Sequence, residues 1–162
     1  MIRKTTCLAL GAFAILGAAA LHAHDDVRPF RPVPQIDGAW KTRVSIVDCQ
    51  TRKIVFAGPF AGLITFAAGG TISESGPALP NTARGPGHGT WRRIGRNTFS
   101  ETLIFQRFDV TGMYLGSQEI RATVKVSDDT RTYQASNGTY EVKDLLGSTL
   151  ATGCSSVTAE RY

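Results

Sequence analysis

The sequence predicts an all-β protein, an antiparallel up-and-down barrel of eight strands. Three observations lead there. Short stretches of alternating apolar and polar residues recur from about Ile36 onward. Glycine-rich or polar breaks separate them. No stretch carries the 3.6-residue apolar period of an amphipathic helix. Consecutive hairpins favour a closed barrel, which also removes exposed sheet edges.

The elements follow in order. In GAWKTRVSIVD, residues 38–48, Trp40, Val44 and Ile46 share one parity while Lys41, Arg43 and Ser45 share the other, the mark of a half-buried strand. VFAGPFAGLITFAAGG has strand character over Gly62–Ala67 and turns at Gly69–Gly70; TISES, residues 71–75, is its short partner. SGPALPNTARGPG, residues 75–87, reads as a loop from its glycine and proline content. HGTWRRI and NTFSETLIFQRFDV are two strands joined at Gly95–Asn97. YLGSQEIRATVKVS alternates again, with Ile120, Ala122, Val124 and Val126 set against Glu119, Arg121, Thr123 and Lys125. RTYQASNGTYEV and STLATGCSSVTAERY complete the set.

Ahead of the strands, MIRKTT carries Arg3 and Lys4, and the uncharged apolar run Cys7–Leu21 follows before charge returns at Asp25. That is the layout of a secretory signal peptide, and the run is short for a membrane span. The expected signal peptide is 1–23, cut after Ala23, with Ala20 as a rival site; a retained N-terminal anchor is the other reading. Residues 24–35, HDDVRPFRPVPQ, hold three prolines and read as an extended arm. Residues 36–162 then form a single β-barrel domain. Loss of Arg3 and Lys4 leaves 16 basic residues against 13 acidic, a net charge of +3. With no long Lys/Arg run, that mild excess does not point to nucleic acid. No other run approaches membrane length, so no span is expected after cleavage and the location is secreted or periplasmic. Cys49 and Cys154 remain as an even pair in an oxidising compartment and read as a disulfide, two separate buried thiols being the alternative. First and last strands are neighbours in a closed barrel, so that bridge would staple the seam.

Gly38-Ala39-Trp40, Gly89-Thr90-Trp91 and Gly138-Thr139-Tyr140 each set a glycine two residues before a large aromatic at a strand start. On these residues the chain resembles the calycin superfamily of lipocalins and avidins. Gly38-Ala39-Trp40 looks like the lipocalin G-x-W signature, and Gly89-Thr90-Trp91 through Thr98-Phe99 is similar to the first strand and turn of avidins. The resemblance implies an eight-stranded antiparallel barrel with a small-molecule cavity open at one end. The chain departs from the avidin pattern at Arg93, where an asparagine helps hold the ligand's polar ring, and at Asn97, where the avidin turn has serine. Biotin is therefore not the expected ligand, and later lipocalin motifs are not found.

The candidate ligand-binding residues are Trp40, Trp91, Arg93, Phe99, Glu101, Phe105 and Arg107. Arg84, Arg92, Arg93 and Arg96 cluster within thirteen residues. Arg93 shares a face with Trp91, so an inward Arg93 would offer its guanidinium fork to a carboxylate or phosphate; solvated arginines on an exposed strand are the alternative. In NTFSETLIFQRFDV, one parity holds Phe99, Glu101, Leu103, Phe105, Arg107 and Asp109. Mixed polarity of that kind suits a strand lining a ligand cavity, because a buried charge needs a partner. Glu101 and Arg107 would pair across the cavity or sit near its rim.

His88, between glycines, has no nucleophile or metal-ligand pattern around it. An N-terminal His24 with His88 would suit copper, but nothing else in the chain resembles a copper site, and no metal or cofactor is expected. The leading function is an exported barrel that binds a small, partly apolar ligand. The alternatives are a small barrel enzyme of cyclase or isomerase type using Glu101 or His88, and a non-catalytic envelope structural or interaction protein.

Overall fold

The computed structural model describes residues 33–56, 59–78 and 82–162. The expected signal peptide (1–23), His24 and the arm as far as residue 32 lie outside the described residues. Nine strands follow in chain order: β1 Gly38–Val47, β2 Phe60–Ala67, β3 Thr71–Ser75, β4 Ala83–Arg84, β5 Gly87–Arg93, β6 Thr98–Phe108, β7 Tyr114–Val126, β8 Thr132–Lys143 and β9 Thr149–Arg161. Eight of them form the wall in the order β6-β5-β3-β2-β1-β9-β8-β7, and β7 pairs back onto β6 to close the barrel. Every pairing is antiparallel. No strand of the wall keeps a free edge, which removes a template for aggregation.

The seam lies between β1 and β9. Val47 sits opposite Cys154 in that pairing, and Cys154 is disulfide-bonded to Cys49, with the two Cα atoms 5.2 Å apart. The thiols are therefore joined where the first and last strands meet.

β4 is an element that the composition of residues 75–87 hides. It pairs Ala83 with Phe108 and Arg84 with Arg107, on the same edge of β6 that β5 uses lower down. Gly85 continues the ladder, donating its N–H to Gln106 O at 3.0 Å. Pro86 has no N–H to offer, so β4 and β5 amount to one strand interrupted at a proline.

The two ends of the barrel differ. Trp40, Phe66, Phe99, Val124 and Val126 fill the lower half and are almost wholly buried. Edge-on contacts link Trp40 to Tyr133, Phe66 to Tyr133 and Trp91 to Phe99. Residues 33–37 pass beneath as a floor. Trp40 Nε1 donates to Ile36 O at 2.8 Å, Arg93 donates to Pro34 O at 2.6 Å, and Arg161 donates to Asp37 O at 2.7 Å and Gln35 O at 2.9 Å. Pro34, which the sequence assigns to an extended arm, is buried in this floor. Its backbone oxygen and its neighbours are held by two guanidiniums that local composition does not reveal.

The opposite end is open. There the β1–β2 connection, the β6–β7 turn and the β8–β9 turn carry exposed apolar side chains, among them Ile54, Val110, Met113 and Leu145, with Leu146 91% exposed. Among the described residues, no helix is long and apolar enough to cross a membrane.

Candidate functional site

Alternation along each wall strand decides which side chains face inward, and the depth of the packed floor decides which of those meet empty space. β6 shows both effects. Phe99, Glu101, Leu103 and Phe105 are all buried on one parity, while Ile104 and Gln106 are exposed on the other. Phe99 is packed into the floor. Glu101, Leu103, Phe105 and Arg107 line a cavity of about 380 Å³ above it. The rest of its wall is mostly apolar, including Val44 and Ile46 of β1, Ile64 of β2, Ile120 of β7 and Val157 of β9. Val44 and Ile46 are only half-buried, because the interior at their level is hollow.

Polar side chains are the minority of this wall, and its ionisable groups are few. Glu101 is 6% exposed, and its Oε2 has no hydrogen-bond partner. Burial, reinforced by the nearby Glu74 carboxylate, pushes its pKa up to about 7. Removal from water penalises the charged form, and a second negative charge penalises it further. Tyr133 is 2% exposed and lines the same cavity. Burial, with the Glu101 and Glu74 carboxylates, holds its phenol well above the ordinary range.

Glu74 itself is paired. Arg84 Nη1 donates to Glu74 Oε1 at 3.3 Å, and Arg84 Nη2 bonds Glu74 Oε2. The guanidinium carbon lies 3.6 Å from the centre of the Phe105 ring. A planar cation stacked on a ring and forked onto a carboxylate is held in one orientation. Space for the pair comes from residues without side chains: a Cβ at Gly87 would stand 2.6 Å from Glu74 Oε2, and one at Gly76 would stand 2.9 Å from Glu74 Oε1. Arg107 lines the cavity near its mouth, opposite Gly116 of β7, and makes no ion pair among the described residues.

The residues named from sequence thus fall into two groups. Glu101, Phe105 and Arg107 come together on the cavity wall. Trp40, Trp91, Arg93 and Phe99 gather at the closed end instead. Trp91 donates its Nε1 hydrogen to Ala67 O at 3.0 Å, and Arg93 lies 4.4 Å over the Phe99 ring while holding Pro34 and Gln35. They build the floor rather than line the hollow. Of the two arrangements open to Glu101 and Arg107, pairing across the cavity is not found among the described residues; Arg107 is near the rim, and the charge nearest in effect to Glu101 is Glu74. The arginine buried in the cavity is Arg84, from the stretch read as a loop. Sequence reasoning does not mark Glu74 or Tyr133 as site residues. Glu74 shares the inward parity of Ile72 in β3, and the irregularity of β8 between Ala135 and Gly138 lets Tyr133 and Tyr140, an odd number of residues apart, both line the cavity.

His88 lies on β5 between Ser73 and Ile104, exposed on the outward parity. It is a strand residue and has no place on the cavity wall. His24, the other half of the copper reading, is outside the described residues. Among the described residues no three His, Cys, Asp or Glu side chains gather in a metal-holding group.

The chemistry this arrangement permits is specific. An apolar hollow can take an apolar body. A buried carboxyl group that changes charge near neutrality can donate or accept a hydrogen bond, or meet a cation, at the inner end. A guanidinium without a carboxylate partner stands near the mouth. No family model matches the chain, and no curated protein matches it.

Proposed function

We propose that this protein is an exported binding protein that holds a small, largely apolar ligand in the barrel. The observation that carries this reading is a one-ended apolar cavity whose inner wall contains a buried carboxyl oxygen with no partner of its own. Such an oxygen costs free energy on the order of 1–3 kcal/mol when left unmade, and a ligand group that satisfies it recovers that cost. Apolar side chains around the mouth suit an apolar molecule on its way in. A secreted or periplasmic location agrees with the disulfide and with the signal-like N-terminal stretch.

A second reading rests on the same residue. A carboxylic acid with a pKa of about 7 in a largely apolar cavity is suited to general acid–base work, so a small barrel enzyme of cyclase or isomerase type would use Glu101 and not His88.

The test is to purify the protein from the periplasm of a Gram-negative host and compare its native mass with its denatured mass. A reproducible small-molecule adduct is expected. It should disappear in Ile120→Trp, which fills the hollow from β7. An adduct that survives in Ile120→Trp, or wild-type protein that takes up neither a carried molecule nor an added uncharged fluorophore, overturns the binding reading.

A further inference from the structure

The charges of the cavity are layered by depth. Arg84 and Arg107 are paired residues of β4 and β6 and enter at the mouth. Glu101 stands six residues further down β6, about 20 Å of extended strand away. Glu74 lies between, because Arg84 reaches down from the mouth to hold it. The inner end therefore contains a carboxyl group with an unused oxygen, the field of a second carboxylate and a phenol.

Arg84 offsets part of the Glu74 field, but what remains at Glu101 is still repulsion from Glu74. The Arg84 guanidinium is committed to Glu74 on one edge and to the Phe105 face. The facing parts of β1, β2, β7 and β9 contribute Thr42, Ile64, Ile120 and Ser155, none of them charged. The titratable groups of the cavity wall besides Glu101 are thus Glu74 on β3, Arg84 on β4, Arg107 on β6 at the mouth, and Tyr133 and Tyr140 on β8. The nearest in effect are the Glu74 carboxylate, which repels a charge on Glu101, and Tyr133, which stays a neutral phenol. A group brought into this end is favoured if it carries positive charge and can donate hydrogen bonds. An anion would be repelled by ionised Glu101 and find the Arg84 charge already committed to Glu74, and a neutral acceptor would use Glu101 only in its protonated form.

We infer that the inner end of the cavity is a site for a protonated amine, held by the Glu101 carboxylate beside Tyr133, on a ligand whose body is apolar. This rests on the cavity-binding reading above and names the ligand class. An ammonium satisfies the orphaned oxygen, returns the carboxyl to its charged form and balances that charge, Glu74 being already paired with Arg84. The layering also fixes direction, with the amine innermost and any anionic substituent toward Arg107.

Proton linkage separates this class from its rivals. An amine that needs ionised Glu101 displaces a proton from the empty site. With half-ionisation near pH 7, the competent fraction rises from about one tenth at pH 6 to about nine tenths at pH 8, so affinity rises about tenfold over that range. A neutral acceptor bound by protonated Glu101 shows the opposite slope. An anion held by Arg107 also weakens as Glu101 ionises.

The experiment is competition against phenylnaphthylamine, an uncharged fluorophore, by octylamine, octanol and octanoate at pH 6 and pH 8. We expect octylamine to displace the probe at about tenfold lower concentration than the other two at pH 8. We expect that advantage to shrink about tenfold at pH 6. In Glu101→Gln the ratio of octylamine to octanol needed to displace the probe should rise to about one. Equal competition by all three, preference for octanoate, or an amine preference that persists in Glu101→Gln overturns the amine site while leaving the cavity-binding reading standing. The wild-type pH profile decides the matter if Glu101→Gln fails to fold. No binding of probe by fluorescence and none of octylamine by calorimetry overturns both.

Discussion

Glu101 is held in the barrel against its own solvation preference. Burial and the Glu74 charge place its folded pKa at about 7, above the ordinary 4.5. The folded state therefore binds more protons than the unfolded chain between these values, and stability falls as pH rises through that window. Below pH 4.5 both states are protonated and the penalty is absent; above pH 7 it is fully present. Its size is about 3 kcal/mol, from the difference between the two pKa values. Chemical denaturation of the empty protein at pH 5 and pH 8 should show this loss, against whatever other groups contribute. In Glu101→Gln the slope attributable to this residue should be missing; an unchanged pH profile in that variant would show that Glu101 is not the buried acid. A stability cost kept in the empty protein is consistent with a group reserved for a ligand. Trp40 contrasts with it, since its single polar atom is satisfied by Ile36 and its ring is covered by Arg161 at 4.2 Å.

Turns show how one local geometry serves both ends of the barrel. Gly112 N–H donates to Asp109 O at 3.1 Å, Gly147 N–H to Asp144 O at 3.2 Å, and Thr130 N–H to Ser127 O at 2.9 Å. All three N–H donors sit at positive φ, 87°, 85° and 59° respectively. Glycine takes that conformation freely, whereas a β-branched residue is strained in it. Thr130→Gly should therefore raise stability by about 1 kcal/mol in urea denaturation. A decrease would mean that the Thr130 side chain contributes more than the backbone strain it imposes. At the mouth the turn tips are Val110 and Leu145–Leu146; at the floor they are Asp128 and Asp129. Turn geometry alone does not call for apolar tips, so their placement at the open end belongs to that end's surroundings. The short β4 makes a related point. Its two residues extend the β5 edge beyond Pro86 and so bring Arg84 into the cavity.

At the scale of the whole molecule, the seam joins residues far apart in sequence. The Cys49–Cys154 bridge closes a separation of 105 residues, which restricts the unfolded chain strongly. The double variant Cys49→Ala, Cys154→Ala should lose about 4 kcal/mol of unfolding free energy, measured in urea at neutral pH. A loss well under 1 kcal/mol would show that the unfolded chain is already compact or that β1 and β9 hold the seam without help. The barrel is also divided along its axis. The floor is sealed by aromatic packing and by arginine hydrogen bonds to residues 34–37, while the upper half is left hollow.

Sequence by itself determined the eight strands of the wall and their neighbours, but not β4. Period-two alternation is a local signal, and in an up-and-down barrel chain order decides who pairs with whom. The disulfide at the seam was legible for that reason, whereas Glu101, Phe105 and Arg107 stood out by the mixed polarity of their strand face, which lines the cavity. Only the tertiary structure decided depth. Trp91, Arg93 and Phe99 have inward parity too, yet they lie level with the floor. Parity says in or out; the stagger of strands around a closed wall says how far along the axis. Arg84 and Glu74 met for the same reason. They are separated by a proline-broken stretch with no alternation to read, and closure against β6 is what brings their side chains together.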